Sequence, residues 1–256
     1  ETPMNYSKIA SILDNAAFNA EAVSQISQIR KINLEEAYAI QNISMARRYK
    51  RSEKFVGIKM GFTSKAKMEQ MGVHDLIWGS LTDAMQYFEG EQLEKADFIH
   101  PRAEPEVAFL ISQEINSHLK AEEIINHIGG VAIAIEIIDS RYQNFKFSLE
   151  DVVADNCSSS GFIIGEWQDP GVAYREEDIE LLIDGELKQK GNTRAILGDP
   201  LQSLVEASRL LEADGSVLSE GDVVLAGAAT AAEYIDSARF VEARSSSLGN
   251  IRLEIV

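Results

Sequence analysis

Glu104, Glu106 and Glu136 are the residues whose types and spacing could do chemistry. The first two stand in Arg102-Ala-Glu-Pro-Glu-Val-Ala-Phe. In an extended segment alternate side chains share a face, so Glu104 and Glu106 point together while Val107 and Phe109 take the other side. Glu136 lies inside the run Val131 to Ile138, whose β-branched residues read as a mostly buried strand. Three carboxylates on neighbouring strands repel one another by several kcal/mol at roughly 4 Å, and therefore need protons or a cation. Oxygen-only ligation without His or Cys favours magnesium, with manganese or calcium next, and leaves positions open for a chelating substrate. The same residues also permit a bland arrangement: a solvated acidic strand face, with Glu136 paired to Arg141.

The rest of the chain bounds what such a site could serve. With 256 residues, 45% of them apolar and 25% charged, the chain can build one large domain or two small ones around a sizeable core. A formal net charge of −17 argues against general nucleic-acid binding and against anionic membranes, because phosphate affinity is carried by clustered Lys and Arg. There is no run of about 18 apolar residues, and Glu1 to Asn19 lacks the basic start and apolar centre of a secretion signal. A cytoplasmic protein is the expectation. The single Cys157 has no internal disulfide partner and reads as a small buried filler.

The elements that must position the acids follow from periodicity. Tyr6 to Ala20 spaces Ile9, Ile12, Leu13, Ala16 and Ala17 as an amphipathic helix. Asn33 is placed to cap a second helix that runs to about Arg48, acids first and bases last. Phe55 to Thr63 switches to a short apolar strand that carries Lys59, and Ser64 caps a short helix ending at Gly72. Beyond Val73 strands predominate: a loop into a strand at Trp78 to Met85, then Val107 to Ile111, Val131 to Ile138 and Phe162 to Gly165. Gly129-Gly130 is expected to end a short helix at Ala121 to Ile128, and Asp184-Gly185 is the clearest hairpin signal. Pro200 to Leu211 is a helix, and three further strands end the chain. The class is α+β: a mainly helical region over residues 1–75 that contributes Lys59, then a β-rich metal- and substrate-binding body over 76–256.

Four stretches together resemble one family: Gly57-Ile-Lys-Met-Gly-Phe-Thr-Ser-Lys-Ala-Lys-Met-Glu-Gln-Met-Gly-Val, Pro101-Arg-Ala-Glu-Pro-Glu-Val-Ala-Phe, Ile135-Glu-Ile-Ile-Asp-Ser-Arg-Tyr-Gln-Asn-Phe-Lys-Phe and Val153-Ala-Asp-Asn-Cys-Ser-Ser. In this order they are similar to the hydratase/decarboxylase family of meta-cleavage aromatic catabolism, within the fumarylacetoacetate hydrolase superfamily. The resemblance implies a small helical cap on a fumarylacetoacetate hydrolase-like body of mixed sheets. It implies that Glu104, Glu106 and Glu136 bind magnesium, with manganese as a substitute, and that Lys59 is the active-site lysine. The family's Asp-Asn-Ala-Ser loop falls on Asp155 to Ser158, with cysteine in place of alanine, and makes Asn156 and Ser158 candidate substrate contacts. Arg141, set to hold the ligand glutamates or face the substrate, and Thr230 are further candidates.

Within the family, Ile138 to Phe147, Lys59 to Gly61 and Thr230 resemble the decarboxylase members. Ile77 stands where the hydratases usually place an acid, which removes a group able to position water. The implied reaction is metal-dependent loss of carbon dioxide from 2-oxo-3-hexenedioate to give 2-hydroxypenta-2,4-dienoate. Hydration of that dienoate is the alternative, and a non-catalytic subunit binding a keto acid is an alternative of another class. The resemblance also implies a homo-oligomer, with a hydratase of the same family as a partner. Lys59 is expected to have a pKa lowered by desolvation and the nearby metal, or else to form a structural ion pair with a ligand glutamate. His74 and His100 have no ligand spacing and read as structural.

Overall fold

A computed structural model describes residues 5–72 and 75–256, so His74 lies outside the described residues. The chain opens with helices α1 (Tyr6–Asn19) and α2 (Leu34–Lys50), followed by strand β1 (Phe55–Gly61), helix α3 (Lys65–Met71) and strand β2 (Ile77–Thr82). Two short strands, β3 (Gln86–Tyr87) and β4 (Gln92–Leu93), lead to the long pair β5 (Arg102–Ile111) and β6 (Ile128–Ile138), with α4 (Ala121–Ile124) between them. Next come α5 (Leu149–Ala154), β7 (Ser159–Ile164), β8 (Asp178–Ile183), β9 (Glu186–Asn192) and α6 (Pro200–Asp214). The chain closes with β10 (Val223–Ala228), β11 (Glu233–Tyr234), β12 (Phe240–Ser245) and β13 (Gly249–Ile255).

The strands form two sheets. The larger is ordered β2-β1-β10-β5-β6-β7-β3, with β11 added beside the start of β5. The smaller is ordered β4-β13-β12-β8-β9. Alternation along β5 and β6 sorts the residues between two environments. Val107, Phe109, Ile133, Ile135 and Ile137 face the small sheet and α6, where they build the main core with Leu181, Leu204, Val241 and Leu253. On the opposite face Ala108 and Ala134 meet Met45, Leu81, Phe162 and Leu225. Beyond these, α1, α2 and α5 pack on one another through Ile9, Leu13, Ile40, Tyr142 and Val153.

The helical cap is set by local chemistry as well as by packing. Asn33 caps α2 and exchanges bonds with Glu36 in a capping box, and Arg47, Arg48 and Lys50 occupy the last turn. The buried amide of Gln41 donates to the carbonyls of Trp78 and Val153, joining α2 to β2 and α5. β1 crosses out of the helical region into the large sheet, parallel to β10 and antiparallel to β2. The 1–75 stretch therefore supplies both cap helices and a strand of the body.

Several boundaries differ from the sequence reading. Gly129 and Gly130 lie within β6 rather than ahead of it, because that strand starts at Ile128 and its ladder to β5 already includes Gly130. Trp78 begins no loop; it is in β2, paired with Met60. Leu149–Ala154 is a helix capped by Ser148, and α6 runs three residues past Leu211 to Asp214, with Gly215 in the left-handed conformation. Asp184 and Gly185 both have positive φ, 52° and 81°, as the expected hairpin turn requires. No described helix is long and apolar enough to cross a membrane.

Candidate active site

Strand register puts the acids on one face. Glu104 is the direct partner of Glu136 across β5 and β6, and Glu106 follows two residues on, opposite Ala134. One carboxylate oxygen from each of Glu104, Glu106 and Glu136 lies within 4.8 Å of the others. Their relative exposures are 7%, 0% and 0%, which excludes a solvated acidic face. Burial, and then the charge of Glu136, raise the pKa of Glu104 and push that of Glu106 well above the ordinary range. Glu106 Oε1 and Glu136 Oε2 are buried without a hydrogen-bond partner. Orphaned oxygens on converging buried acids fit a divalent cation, since their desolvation is otherwise uncompensated.

Lys59 reaches the same face through two registers: it pairs with Leu225 of β10, which pairs with Ala108 of β5. Its Nζ lies 2.8 Å from Glu136 Oε1 and donates to the Cys157 carbonyl at 2.8 Å. Burial alone would lower the lysine pKa, but the charges of Glu136 and Glu104 outweigh it and raise it. In the polypeptide by itself this is the reverse of the depression expected from the sequence. The ion pair with Glu136 also replaces the Glu136–Arg141 pair that the bland reading allowed.

β10 carries a bulge between Leu225 and Ala228. There Gly227, at φ 121°, donates its amide to Glu106 Oε2 at 3.0 Å. A Cβ on Gly227 would fall 2.1 Å from Thr63 Oγ1, so glycine is required for this approach.

The loop after α5 is the most constrained segment. Asn156, Cys157 and Ser158 have φ of 51°, 54° and 60°, a left-handed run that costs about 1–2 kcal/mol per non-glycine residue. The Asn156 side chain offsets this by accepting from Ser80 N and donating to Ser80 O, at 2.8 and 2.9 Å. The Cys157 thiol donates to the Trp78 carbonyl at 3.2 Å, and burial pushes its pKa up to about 12. It is the inert filler expected. Ser158 Oγ is buried without a partner and lines the cavity in front of Lys59.

Two candidates are placed differently. Arg141 lies beneath the loop: its Nε donates to Asp155 Oδ1 at 2.7 Å, Nη2 to the Asp155 carbonyl, and Nη1 to Ser159 O and Ser160 Oγ. With its donors so engaged it neither holds the glutamates nor lines the cavity, and it braces the loop instead. Asn156 likewise binds β2 rather than open space. Thr230 lines the cavity, with Oγ1 donating to the Ala231 carbonyl. His100 is bonded to the Ser140 carbonyl and its ring lies against Phe145, a structural placement.

A cavity of about 710 Å³ connects Lys59, Glu104 and Ser158 with Thr63, Ile77 and Thr230. It is also lined by Arg102, Phe145 and Phe147, to which the sequence assigns no role. For Arg102 the signal was available, since it stands two residues before Glu104 and so shares its face.

The C-terminal model of the fumarylacetoacetate hydrolases matches residues 87–256, two thirds of the chain. The chain belongs to this family. Among curated members, a 4-oxalocrotonate decarboxylase of a Pseudomonas species is 43% identical over 97% of both chains. A 2-keto-4-pentenoate hydratase of Burkholderia vietnamiensis is 33% identical over 84% of each. The solved 4-oxalocrotonate decarboxylase from Pseudomonas putida, complexed with magnesium and adipate, superposes with a TM-score of 0.93 at 31% identity, covering 98% of this chain and 97% of that one. As a fumarylacetoacetate hydrolase family member, the chain thus matches both decarboxylases and hydratases along most of its length.

Proposed function

We propose that this chain is a magnesium-dependent carbon–carbon lyase that decarboxylates 2-oxo-3-hexenedioate (4-oxalocrotonate) to 2-hydroxypenta-2,4-dienoate. The observation that carries this is the buried Glu104-Glu106-Glu136 triad, with orphaned carboxylate oxygens on Glu106 and Glu136 and with Lys59 Nζ beside Glu136, in a chain 43% identical to a decarboxylase over nearly its whole length. Held by these three carboxylates, magnesium, or manganese in its place, supplies a Lewis acid for the 2-oxo acid end of the substrate.

The chain's own groups do the rest. Lys59 Nζ places positive charge beside that end, where negative charge develops as carbon dioxide leaves. The C5–C6 bond breaks, its electrons move into the conjugated chain, and the 2-oxygen takes up a proton for which Lys59 Nζ is the donor. Ser158 Oγ, with no hydrogen-bond partner among the described residues, donates to the proximal carboxylate. Asn156 and Arg141 act through the loop, holding Ser158 and the Cys157 carbonyl in place. Thr230 forms part of the wall. Ile77 supplies an apolar side chain and no group to activate water, which favours decarboxylation over the hydration suggested by the hydratase relatives.

The reading extends to a cytoplasmic homo-oligomer acting in meta-cleavage degradation beside a hydratase of the same family. It also treats residues 1–75 and 76–256 as two parts of one functional unit. One assay tests the activity: carbon dioxide and dienol absorbance are followed with 2-oxo-3-hexenedioate, with and without a chelator. Metal-dependent release of carbon dioxide is expected. Conversion of 2-hydroxypenta-2,4-dienoate to 4-hydroxy-2-oxopentanoate without such release would identify a hydratase, and magnesium binding with no turnover of either compound a binding subunit.

A further inference from the structure

Arg102 brings to the cavity a half-buried positive charge that neither the metal triad nor Lys59 accounts for. It begins β5, between Ile138 of β6 and Tyr234 of β11. Its guanidinium carbon lies 3.9 Å from the ring centre of Phe145 and 4.2 Å from that of Tyr234. Both rings lie against the guanidinium. One edge donor, Nη2, goes to the Tyr234 hydroxyl. Nε is buried without an acceptor, and no carboxylate among the described residues lies within ion-pair distance of Arg102. A guanidinium with no carboxylate partner among the described residues, packed against two rings beside a cavity, is a preorganised carboxylate site.

Its place beside the triad, on the same cavity, sets the class of ligand it would bind. Arg102 and Glu104 share a face two residues apart, about 6.8 Å along the strand. Glu104, Lys59 and Ser158 line the same cavity as Arg102 and Phe145. Lys67 and Lys146 also border the cavity, but both are more open to solvent and lack such a clamp.

We propose that Arg102 binds the distal carboxylate of a six-carbon keto dicarboxylate and thereby selects dicarboxylic over monocarboxylic acids. This rests on the decarboxylase reading for the identity of the substrate, though not for the existence of the subsite. Arg102 grips the carboxylate that will depart, so its contact is made with bound substrate and weakens as carbon dioxide forms. Its contribution therefore belongs to KM more than to kcat.

The test uses the full chain loaded with magnesium, comparing wild type with Arg102→Met, Arg102→Lys and Lys146→Met. Adipate, a saturated six-carbon dicarboxylate, probes both ends of the cavity, and oxalate probes the metal end alone. Arg102→Met is expected to weaken adipate binding and raise KM by about 10- to 100-fold, with a smaller fall in kcat and with oxalate affinity unchanged. Arg102→Lys should recover part of the loss. Unchanged adipate affinity in Arg102→Met, an equal loss for adipate and oxalate, or a loss confined to Lys146→Met would each overturn the proposal. Absence of carbon dioxide release in the wild type would remove the decarboxylase reading instead, and the adipate comparison would still decide the subsite by calorimetry.

Discussion

At the scale of single residues, the site is a balance of buried charge. Glu106 is fully buried, one of its oxygens accepts from the Gly227 amide, and the other has no partner. Glu106→Gln keeps the shape but removes a ligand charge. It is expected to weaken magnesium binding and to lower kcat/KM by about 100-fold or more, at least the loss usual for disturbing a ligand's supporting contacts; magnesium calorimetry and the carbon dioxide assay read the two effects. The raised carboxyl pKa values also make the stability of the metal-free fold depend on pH. Protonated Glu104 and Glu106 stabilise the chelator-treated fold below the ordinary glutamate value of 4.5. That stability is lost as pH rises through the raised folded values, because the unfolded chain gives up these protons more readily. Melting scans from about pH 4 to 8 should therefore show magnesium raising Tm increasingly as pH rises, with protons released on binding. An increment that stays flat or shrinks with pH would contradict the coupling. Much of this scale was legible beforehand: alternation aligned Glu104 with Glu106, and the apolar run flagged Glu136. The role of Arg141 was not, because its distance from Asp155 depends on how the chain turns after β6.

At the scale of elements, the strained loop at Asn156–Ser158 depends on β2. Gly79 of β2 faces it so closely that a Cβ there would lie 2.6 Å from the Asn156 carbonyl oxygen and 2.9 Å from Ser159 Oγ. Gly79→Ala must displace backbone, at an expected cost of about 1–3 kcal/mol in urea unfolding. Since the loop carries Ser158 and the Cys157 carbonyl but no metal ligand, turnover should fall while magnesium affinity stays near wild type. Full activity in the Gly79→Ala variant would show that the loop does not need this seat. Sequence periodicity found α1, α2 and α6 within a few residues, because each has a buried stripe and a capping residue or glycine stop. It missed α5, whose six residues are too few to display a period.

At the scale of the whole molecule, the large sheet is a partition. Its one face is sealed against the small sheet and α6, and the other supports the triad beneath the helical cap. Phe109, fully buried and edge-on to Tyr174 at 5.5 Å, belongs to the sealed face. Phe109→Ala should cost about 3–5 kcal/mol of unfolding free energy by leaving a cavity among rigid strands. At temperatures where that variant remains folded, magnesium affinity should be little changed, because the residue faces away from the glutamates. A variant that folds normally yet loses the metal would instead tie the core directly to the site.

The amino-acid sequence by itself determined that acids and apolar residues alternate along β5 and β6, and that resemblance to the hydratase/decarboxylase family runs through four ordered motifs. Both are local properties, fixed by the period of a strand and by residue type. Only the tertiary structure decided that Glu104 pairs with Glu136, that Lys59 arrives on the same face from two strands away, and that Arg141 turns to Asp155 while Arg102 enters the cavity. Strand order, register and the bulge in β10 make those decisions. They arise from contacts between segments tens of residues apart, for which no single stretch of chain carries the information.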